Sequence, residues 1–92
     1  MIVIKDIYGN VVFSGSEKEL RFATFRDVDL SGVDLSGMKL TFAKFINVNL
    51  TNTILKGSDI RKIYLSKTNI KSIISDRSTL MPEEDEYCHA CV

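Results

Sequence analysis

The most regular feature of the sequence is an apolar residue at every fifth position from 20 to 70. These eleven positions hold only Leu, Ile or Phe: Leu20, Phe25, Leu30, Leu35, Leu40, Phe45, Leu50, Leu55, Ile60, Leu65 and Ile70. A strand repeats every two residues and a helix every 3.6, so neither period produces this pattern. On a helix, a step of five residues turns by about 500°, which would scatter these side chains around the axis. The pattern therefore predicts a stack of small repeated units with one continuous core.

A second set of inward positions is predicted two residues before the first set. Its members are mostly small or β-branched: Ala23, Val28, Val33, Met38, Ala43, Val48, Thr53, Ser58, Ile63, Thr68, Ile73 and Ser78. The other positions are mainly Asp, Asn, Lys, Arg, Thr, Ser and Gly. Each five-residue unit is thus expected to send two side chains inward and the others outward.

These units resemble the pentapeptide-repeat family, whose units are written Ala-Asp/Asn-Leu-x-x. The best matches are residues 28–32 (VDLSG), 33–37 (VDLSG), 48–52 (VNLTN) and 58–62 (SDIRK). The resemblance implies an all-β fold, a right-handed four-sided β-helix with one unit per side and twenty residues per coil. Residues 20–79 would form about three coils, a solenoid roughly 15 Å tall at the usual strand spacing of about 4.8 Å.

A twenty-residue coil also predicts which side chains stack. One core column is expected to contain Phe25, Phe45 and Leu65, and the column beside it Ala23, Ala43 and Ile63. Where the large Phe of the first column becomes the smaller Leu65, the small Ala of the column beside it becomes the larger Ile63. This exchange of volume is what a close-packed core requires. A second column is expected to contain Leu20, Leu40, Ile60 and Leu80. Ser75 interrupts another column, so the register is expected to weaken after about residue 74.

The chain is predicted to be one domain in three parts: a β-hairpin cap (1–17), the solenoid (18–80) and an acidic tail with a Cys-x-x-Cys pair (81–92). Two β-rich runs flank Gly9-Asn10, as in a hairpin. Such a hairpin would cover the first coil, whose end otherwise exposes backbone and apolar side chains. Residues 15–18 are predicted to connect the hairpin to that coil.

The tail contains the one chemically suggestive cluster of the sequence. Cys88 and Cys91 have the spacing of a zinc-chelating pair, with His89 as a third candidate ligand. One pair is half a site, so a pair of free thiols in the tail is the competing interpretation. Residues 83–86 are all acidic and are expected to be solvated or to pack against the basic last coil. No other cofactor is expected.

Five outward apolar residues are candidates for binding a partner: Phe22, Phe42, Ile54, Tyr64 and Ile74. The alternative is that Phe22 and Phe42 line a corner beneath the hairpin or the tail. A third outward set, Asp29, Asn49 and Asn69, is expected to bond the backbone of the turns.

Charge and motifs limit the function. The whole chain has zero net charge, but residues 18–80 contain eleven Lys and Arg against six Asp and Glu, an excess of +5. No Ser-His-Asp set or phosphate-binding loop is present, so an enzyme is not expected. No apolar run is long enough to cross a membrane. The first residues lack a signal-peptide pattern, so a cytoplasmic location is expected.

The sequence leaves three functions open. The first is a rigid, non-catalytic module that binds a protein partner or a second copy of itself. The second, implied by the family resemblance, is a DNA mimic that inhibits a topoisomerase or another DNA-binding enzyme. A basic solenoid of three coils departs from the long acidic rod that such mimicry needs. The third is weak, salt-sensitive nucleic-acid binding through the basic solenoid.

Overall fold

The computed structural model describes residues 1–82. Within this range, five strands and one helical turn follow one another: β1 (Ile2–Lys5), β2 (Val11–Gly15), α1 (Glu17–Leu20), β3 (Thr24–Arg26), β4 (Lys44–Ile46) and β5 (Tyr64–Ser66). The first two strands form an antiparallel pair and the last three a parallel sheet in the order β3-β4-β5.

The hairpin has the expected strands but a longer connection. β1 ends at Lys5, and not at Tyr8 as the β-rich run predicts, after a bulge between Ile4 and Lys5. The Asp6 carboxylate accounts for this because its Oδ1 accepts hydrogen bonds from the backbone N–H groups of Tyr8 and Asn10, both at 2.9 Å. An Asp side chain that binds nearby N–H groups in this way competes with strand pairing.

Residues 17–20 form a helical turn. The predicted all-β fold did not include a helix, and residues 15–18 were predicted to be a simple connection. Ser16 and Glu19 form a capping box: Ser16 Oγ accepts from Glu19 N at 3.3 Å, and Glu19 Oε1 accepts from Ser16 N at 2.9 Å. The backbone bond from Ser16 lowers the pKa of Glu19. The Ser-x-x-Glu spacing at residues 16–19 is the sequence signature of such a helix start.

The rest of the described chain is a β-solenoid in which successive coils pair in parallel, twenty residues apart. Phe25 pairs with Phe45, and Phe45 with Leu65. Thr24 pairs with Lys44, and isolated bridges repeat this offset five, ten and fifteen residues after Thr24: Asp29 with Asn49, Asp34 with Ile54, and Lys39 with Asp59. Each twenty residues therefore meet the next coil at four positions that are five residues apart.

The apolar side chains at every fifth position form the core. Those from Leu20 to Leu65 are all buried, and Ile70 is half-buried. The Phe25 and Phe45 rings stack with centroids 5.2 Å apart and planes 12° apart. Small polar residues of the second inward set are buried too, and the Thr53 hydroxyl donates to Leu30 O at 2.7 Å. In residues 1–82 every buried side-chain nitrogen or oxygen has a hydrogen-bond partner, as a buried polar group requires.

The register shifts by one residue in the last coil, so the predicted stacking of Leu80 on Ile60 is wrong. Leu80 pairs with Asp59, an offset of twenty-one, and 45% of its surface is exposed. Thr79 takes the inward position predicted for Ser78, which is exposed, and donates its hydroxyl hydrogen to Leu55 O at 2.9 Å. The extra residue fits into a turn held by Asp76, whose Oδ1 accepts from Ser78 N at 3.0 Å.

The hairpin packs on the first coil. Ile4 belongs to the buried core, and the Phe13 and Phe25 rings lie 6.2 Å apart. One backbone bond, from Ile7 N to Asp29 O at 3.2 Å, joins the hairpin to the coil. Within residues 1–82 no helix has the length and hydrophobicity that a membrane crossing requires.

Candidate functional site

Two exposed phenylalanines stack on each other at one corner of the solenoid. The Phe22 and Phe42 ring centroids are 5.5 Å apart with planes 12° apart, and the side chains are 68% and 52% exposed. They are equivalent residues of successive coils, as the twenty-residue period predicts. A near-parallel ring pair contributes about 0.5–1.5 kcal/mol beyond its burial, so the stack gives the corner some local order.

The backbone at this corner is unusual for an aromatic residue. Phe42 has a φ of 63°, in the left-handed region, as does Lys62 at the same position of the next coil with a φ of 61°. Other left-handed corners carry the residues that tolerate this conformation, such as Gly32 and Asn52. A bulky side chain there is strained by roughly 1–2 kcal/mol.

Basic residues lie in the columns next to the phenylalanine pair. Thr24, Lys44 and Tyr64 are register partners on the outer side of the three-stranded sheet. We call six exposed residues of this column, of the Phe22 column and of the adjacent Arg21 position the aromatic–basic face: Arg21, Phe22, Phe42, Lys44, Lys62 and Tyr64. Thr24 and the ion-paired Arg61 are exposed in the same columns and are not included in it. The face has three cations and three aromatic rings, and none of its members is acidic.

The border of this face contains an ion pair. Arg61 Nη2 lies 2.9 Å from Asp59 Oδ2, and Arg61 Nε donates to Asp59 Oδ1 at 3.0 Å. These bonds from the guanidinium lower the pKa of the Asp59 carboxyl, with a further contribution from the charge of Arg21. The pair fixes the edge of the face in one geometry, although an exposed ion pair adds little to stability.

The five apolar residues proposed from the sequence as a partner surface do not all lie together. Phe22, Phe42 and Tyr64 belong to the aromatic–basic face. Ile54 and Ile74 pair with each other in a different column, ten residues along the coil from Tyr64. Ile54 is only half-buried and Ile74 is 38% exposed, so this pair is a separate, smaller apolar strip.

A shallow groove of about 400 Å³ follows a different part of the coil. Equivalent residues of the three coils line it in two neighbouring columns: Asp27, Asn47 and Lys67, and Asp29, Asn49 and Asn69. Asn47 Nδ2 donates to Asp27 Oδ1 at 2.9 Å across the two coils. We call this surface the graded groove, because its charge changes along the solenoid. Both columns have a carboxylate in the first coil, and the first column has the amine of Lys67 in the third coil.

The inner column of the groove holds the turns. The side-chain oxygens of Asp29, Asn49 and Asn69 accept from the backbone N–H two residues on, at 3.0, 3.0 and 2.7 Å. Hydrogen bonds from Ser31 lower the pKa of the Asp29 carboxyl. Each of these bonds closes a local turn, as the sequence predicts, and leaves a second polar atom of the side chain for other contacts.

The candidate zinc ligands Cys88, His89 and Cys91 lie outside the described residues, as does the acidic run 83–86. Within residues 1–82, no three His, Cys, Asp or Glu side chains are grouped so that they could hold a metal ion.

Sequence reasoning missed the outer face of the hairpin. Val3, Tyr8 and Val11 are 48%, 75% and 56% exposed. The signal was the alternation of β1, where Ile2 and Ile4 face the solenoid and Val3 must therefore face away. The cations Arg21 and Lys44 were also not assigned to a site, although Arg21 directly precedes Phe22 and Lys44 is two residues from Phe42 in the sequence.

A comparison with protein-family models identifies the five-residue repeat. The model for pentapeptide repeats matches residues 19–57 and 34–71, with eight copies of the repeat. The chain belongs to the pentapeptide-repeat family. No curated protein and no solved structure shows significant similarity to it. The matched region of this pentapeptide-repeat chain contains Phe22, Phe42 and the whole graded groove.

Proposed function

We propose that this pentapeptide-repeat chain is a non-catalytic interaction module that binds a protein partner through the aromatic–basic face. The partner would present acidic side chains to Lys44 and Lys62 and an apolar surface to the Phe22–Phe42 pair. Aromatic residues and Arg are the types most enriched where binding energy concentrates in protein interfaces.

The observation that carries this proposal is the position of Phe42. Its ring is 52% exposed and its backbone is left-handed, so it contributes little burial and is held in a strained conformation. Glycine or asparagine would satisfy this corner at lower cost. Strain at an exposed residue is a recognised sign that the side chain serves function rather than folding.

Rigidity supports the same proposal. The face is built on three hydrogen-bonded strands and on turns with fixed side-chain bonds. A preorganised surface loses little conformational entropy on binding. We also infer that the coil is right-handed and four-sided and that the hairpin acts as its cap. The four pairing positions per coil support the four sides, the family membership supports the right hand, and the packing of Phe13 on Phe25 supports the cap.

Charge and ring geometry favour a protein partner over the other two candidates. Residues 1–82 contain twelve Lys and Arg against eight Asp and Glu, an excess of +4, which is unlike the acidic surface of a DNA mimic. Nucleic-acid binding would use the same cations, with bases stacked on the aromatic rings. The mutual stacking of Phe22 and Phe42 already covers one face of each ring, which reduces the area open to a base.

A non-catalytic role and a cytoplasmic location remain proposals. The first is supported by an interior filled with Leu, Ile and Phe and by Asp side chains engaged in turn bonds. Side chains that hold turns are poorly placed to act as general acids or bases, because their oxygens already have fixed hydrogen-bond donors.

The experiment begins with affinity capture by the full chain from cells of its source, followed by identification and purification of each captured protein. Binding is then titrated with the wild type, with Phe22→Ser/Phe42→Ser and with Tyr8→Ser. Tyr8 is a matched control because it is an exposed aromatic residue on the hairpin. We expect the double variant to weaken binding at least about tenfold and the control to leave it unchanged.

Two outcomes would contradict the proposal. A purified partner that binds the double variant as tightly as the wild type does not use this face. Binding of a single-stranded oligonucleotide that depends on Phe22 and Phe42, with no protein partner that does, would assign the face to nucleic acid instead.

A further inference from the structure

The charge along the graded groove changes sign from one end of the solenoid to the other. Asp27, Asn47 and Lys67 occupy the same position of three successive coils and are all exposed. In the neighbouring column, Asp29 is followed by Asn49 and Asn69. The first coil therefore presents carboxylates, the second presents amides and the third presents an amine and an amide.

These charges do not neutralise each other within the described chain. The first and third coils are two strand spacings apart, about 9.6 Å. In residues 1–82 the ion pairs that form are Lys39 with Glu17 and Arg61 with Asp59. Asn47 bonds only Oδ1 of the Asp27 carboxylate, so the acidic and basic ends of the groove both remain available to an external surface.

We propose that the graded groove binds a second copy of this chain in antiparallel orientation. Turning the copy by 180° about the strand direction places its third coil against the first coil of the original. Asp27 then faces Lys67 of the second copy, and Lys67 faces Asp27 of that copy. Asn47 lies near the two-fold axis, where a primary amide can pair with itself because it both donates and accepts.

The second column fits the same orientation. Asp29 would face Asn69 of the second copy, whose amide can donate to the carboxylate, and Asn49 would face its own equivalent. A two-fold axis along the solenoid would instead keep the coils in the same order, so that the first-coil carboxylates Asp27 and Asp29 would face those of the copy, and like charges in contact are unfavourable. The sequence order acid, amide, amine thus selects one of the two symmetric arrangements.

The aromatic–basic face is not suited to this role. It has a cation in each coil, Arg21, Lys44 and Lys62, so two copies joined by this face would repel in either orientation. Self-association through the graded groove would leave that face available for the protein partner. The proposal therefore goes beyond the proposed function and does not depend on it.

The dimer is expected to be weak and sensitive to salt. The described molecule measures 31 × 24 × 21 Å, so one side of three coils offers less than the roughly 800 Å² per partner of a standard stable interface. Its contacts are exposed charges and amides, which are screened beyond about 10 Å at 0.1 M salt. Association should thus appear at high protein concentration and low ionic strength.

The test is sedimentation equilibrium of the full chain with charge reversals at the two ends of the groove. Asp27→Lys and Lys67→Asp suit the backbone, because the two residues have nearly the same left-handed φ, 56° and 52°. Each variant alone would bring like charges together twice in a symmetric dimer. We expect its association constant to fall about tenfold or more.

An equimolar mixture of the two variants should recover the association of the wild type. In the mixed dimer both contacts are attractive, because the introduced lysine meets the introduced aspartate and the original residues meet at the other end. The double variant Asp27→Lys/Lys67→Asp should also self-associate. Glu17→Lys and Lys56→Asp are controls that make the same changes of net charge outside the groove, and both should associate as the wild type does.

Four outcomes would overturn the proposal. The wild type could remain monomeric at low ionic strength and high concentration. Both charge reversals could leave its association constant unchanged. Alternatively, each reversal could lower the association constant while the equimolar mixture of the two variants fails to restore it. If Phe22→Ser/Phe42→Ser abolishes the dimer and neither charge reversal changes the association constant, self-association uses the aromatic–basic face. Circular dichroism of each variant separates these results from misfolding.

Discussion

The hydroxyl of Thr53 donates to the backbone carbonyl of Leu30 at 2.7 Å, which ties the second coil to the first inside the core. Leu30 O also accepts from Val33 N at 3.0 Å. Thr53→Val keeps the side-chain shape and removes one bond while the carbonyl keeps its other donor. We therefore expect a loss of about 1 kcal/mol in the free energy of unfolding, measured by urea denaturation.

Thr51→Val is the matched control for this prediction. Thr51 is exposed, so the same substitution there should change the free energy of unfolding by less than about 0.5 kcal/mol. Equal effects at the two positions would mean that the inward bond of Thr53 contributes nothing to stability.

A charge at a buried fifth position should unfold the domain. Leu50 is 3% exposed, and Leu50→Asp would bury a carboxylate without a partner. Asn49→Asp introduces the same charge one residue away, where Asp29 of the preceding coil already holds the equivalent turn. We expect Leu50→Asp to lose its cooperative thermal transition and Asn49→Asp to keep it. A cooperative Leu50→Asp variant would refute the assigned register.

The solenoid should lose stability in acid because its turns depend on ionised Asp residues. Hydrogen bonds from Ser36 lower the pKa of Asp34, and those from Ser31 lower that of Asp29. Lowered folded-state pKa values mean that this stabilisation is complete above the pKa of the unfolded chain, about 3.9, and is lost as the pH falls through the folded-state pKa. The urea midpoint should fall when the pH is lowered from about 5 to about 3.

Asp29→Asn/Asp34→Asn tests the cause of that acid sensitivity. Asn49 and Asn69 show that an amide oxygen can accept the same turn bond, so this variant should fold at neutral pH. Its urea midpoint should depend less on pH over the same range. A dependence as steep as that of the wild type would place the acid-sensitive groups elsewhere.

The exposed phenylalanines should matter little for folding. Phe22→Ser/Phe42→Ser removes a ring stack worth about 0.5–1.5 kcal/mol, together with the burial of two side chains that are more than half exposed. We expect a folded domain that is about 1 kcal/mol less stable in urea. Loss of the cooperative transition would instead make this pair a structural element of the corner.

The solenoid could be predicted from the sequence because its core residues recur at a strict spacing of five. Phe25, Phe45 and Leu65 stack as expected, since a fixed spacing of five leaves one consistent set of inward positions. The stacking of Phe22 on Phe42 followed from the same period. Long-range pairing was therefore predictable without any knowledge of contacts.

Local turn chemistry was harder to predict. The one-residue shift before Leu80 depends on the hydrogen bonds that Asp76 accepts within the turn of residues 76–79. A periodic sequence pattern does not show that a turn contains one added residue. The left-handed φ of Phe42 is set by the corner rather than by the propensity of phenylalanine. The groove formed by two neighbouring columns of charged and amide residues, as in the graded groove, depends on how the folded coils lie beside one another.

The most direct test of the interaction role is the affinity of a purified protein partner for Phe42→Asn, measured by calorimetry beside its free energy of unfolding. Asparagine suits the left-handed corner and leaves Arg21, Lys44 and Lys62 in place. We predict an affinity at least about tenfold lower with a free energy of unfolding within about 1 kcal/mol of the wild type, as lost stacking and relieved strain offset each other. Unchanged affinity would contradict the assignment of this face as the binding surface.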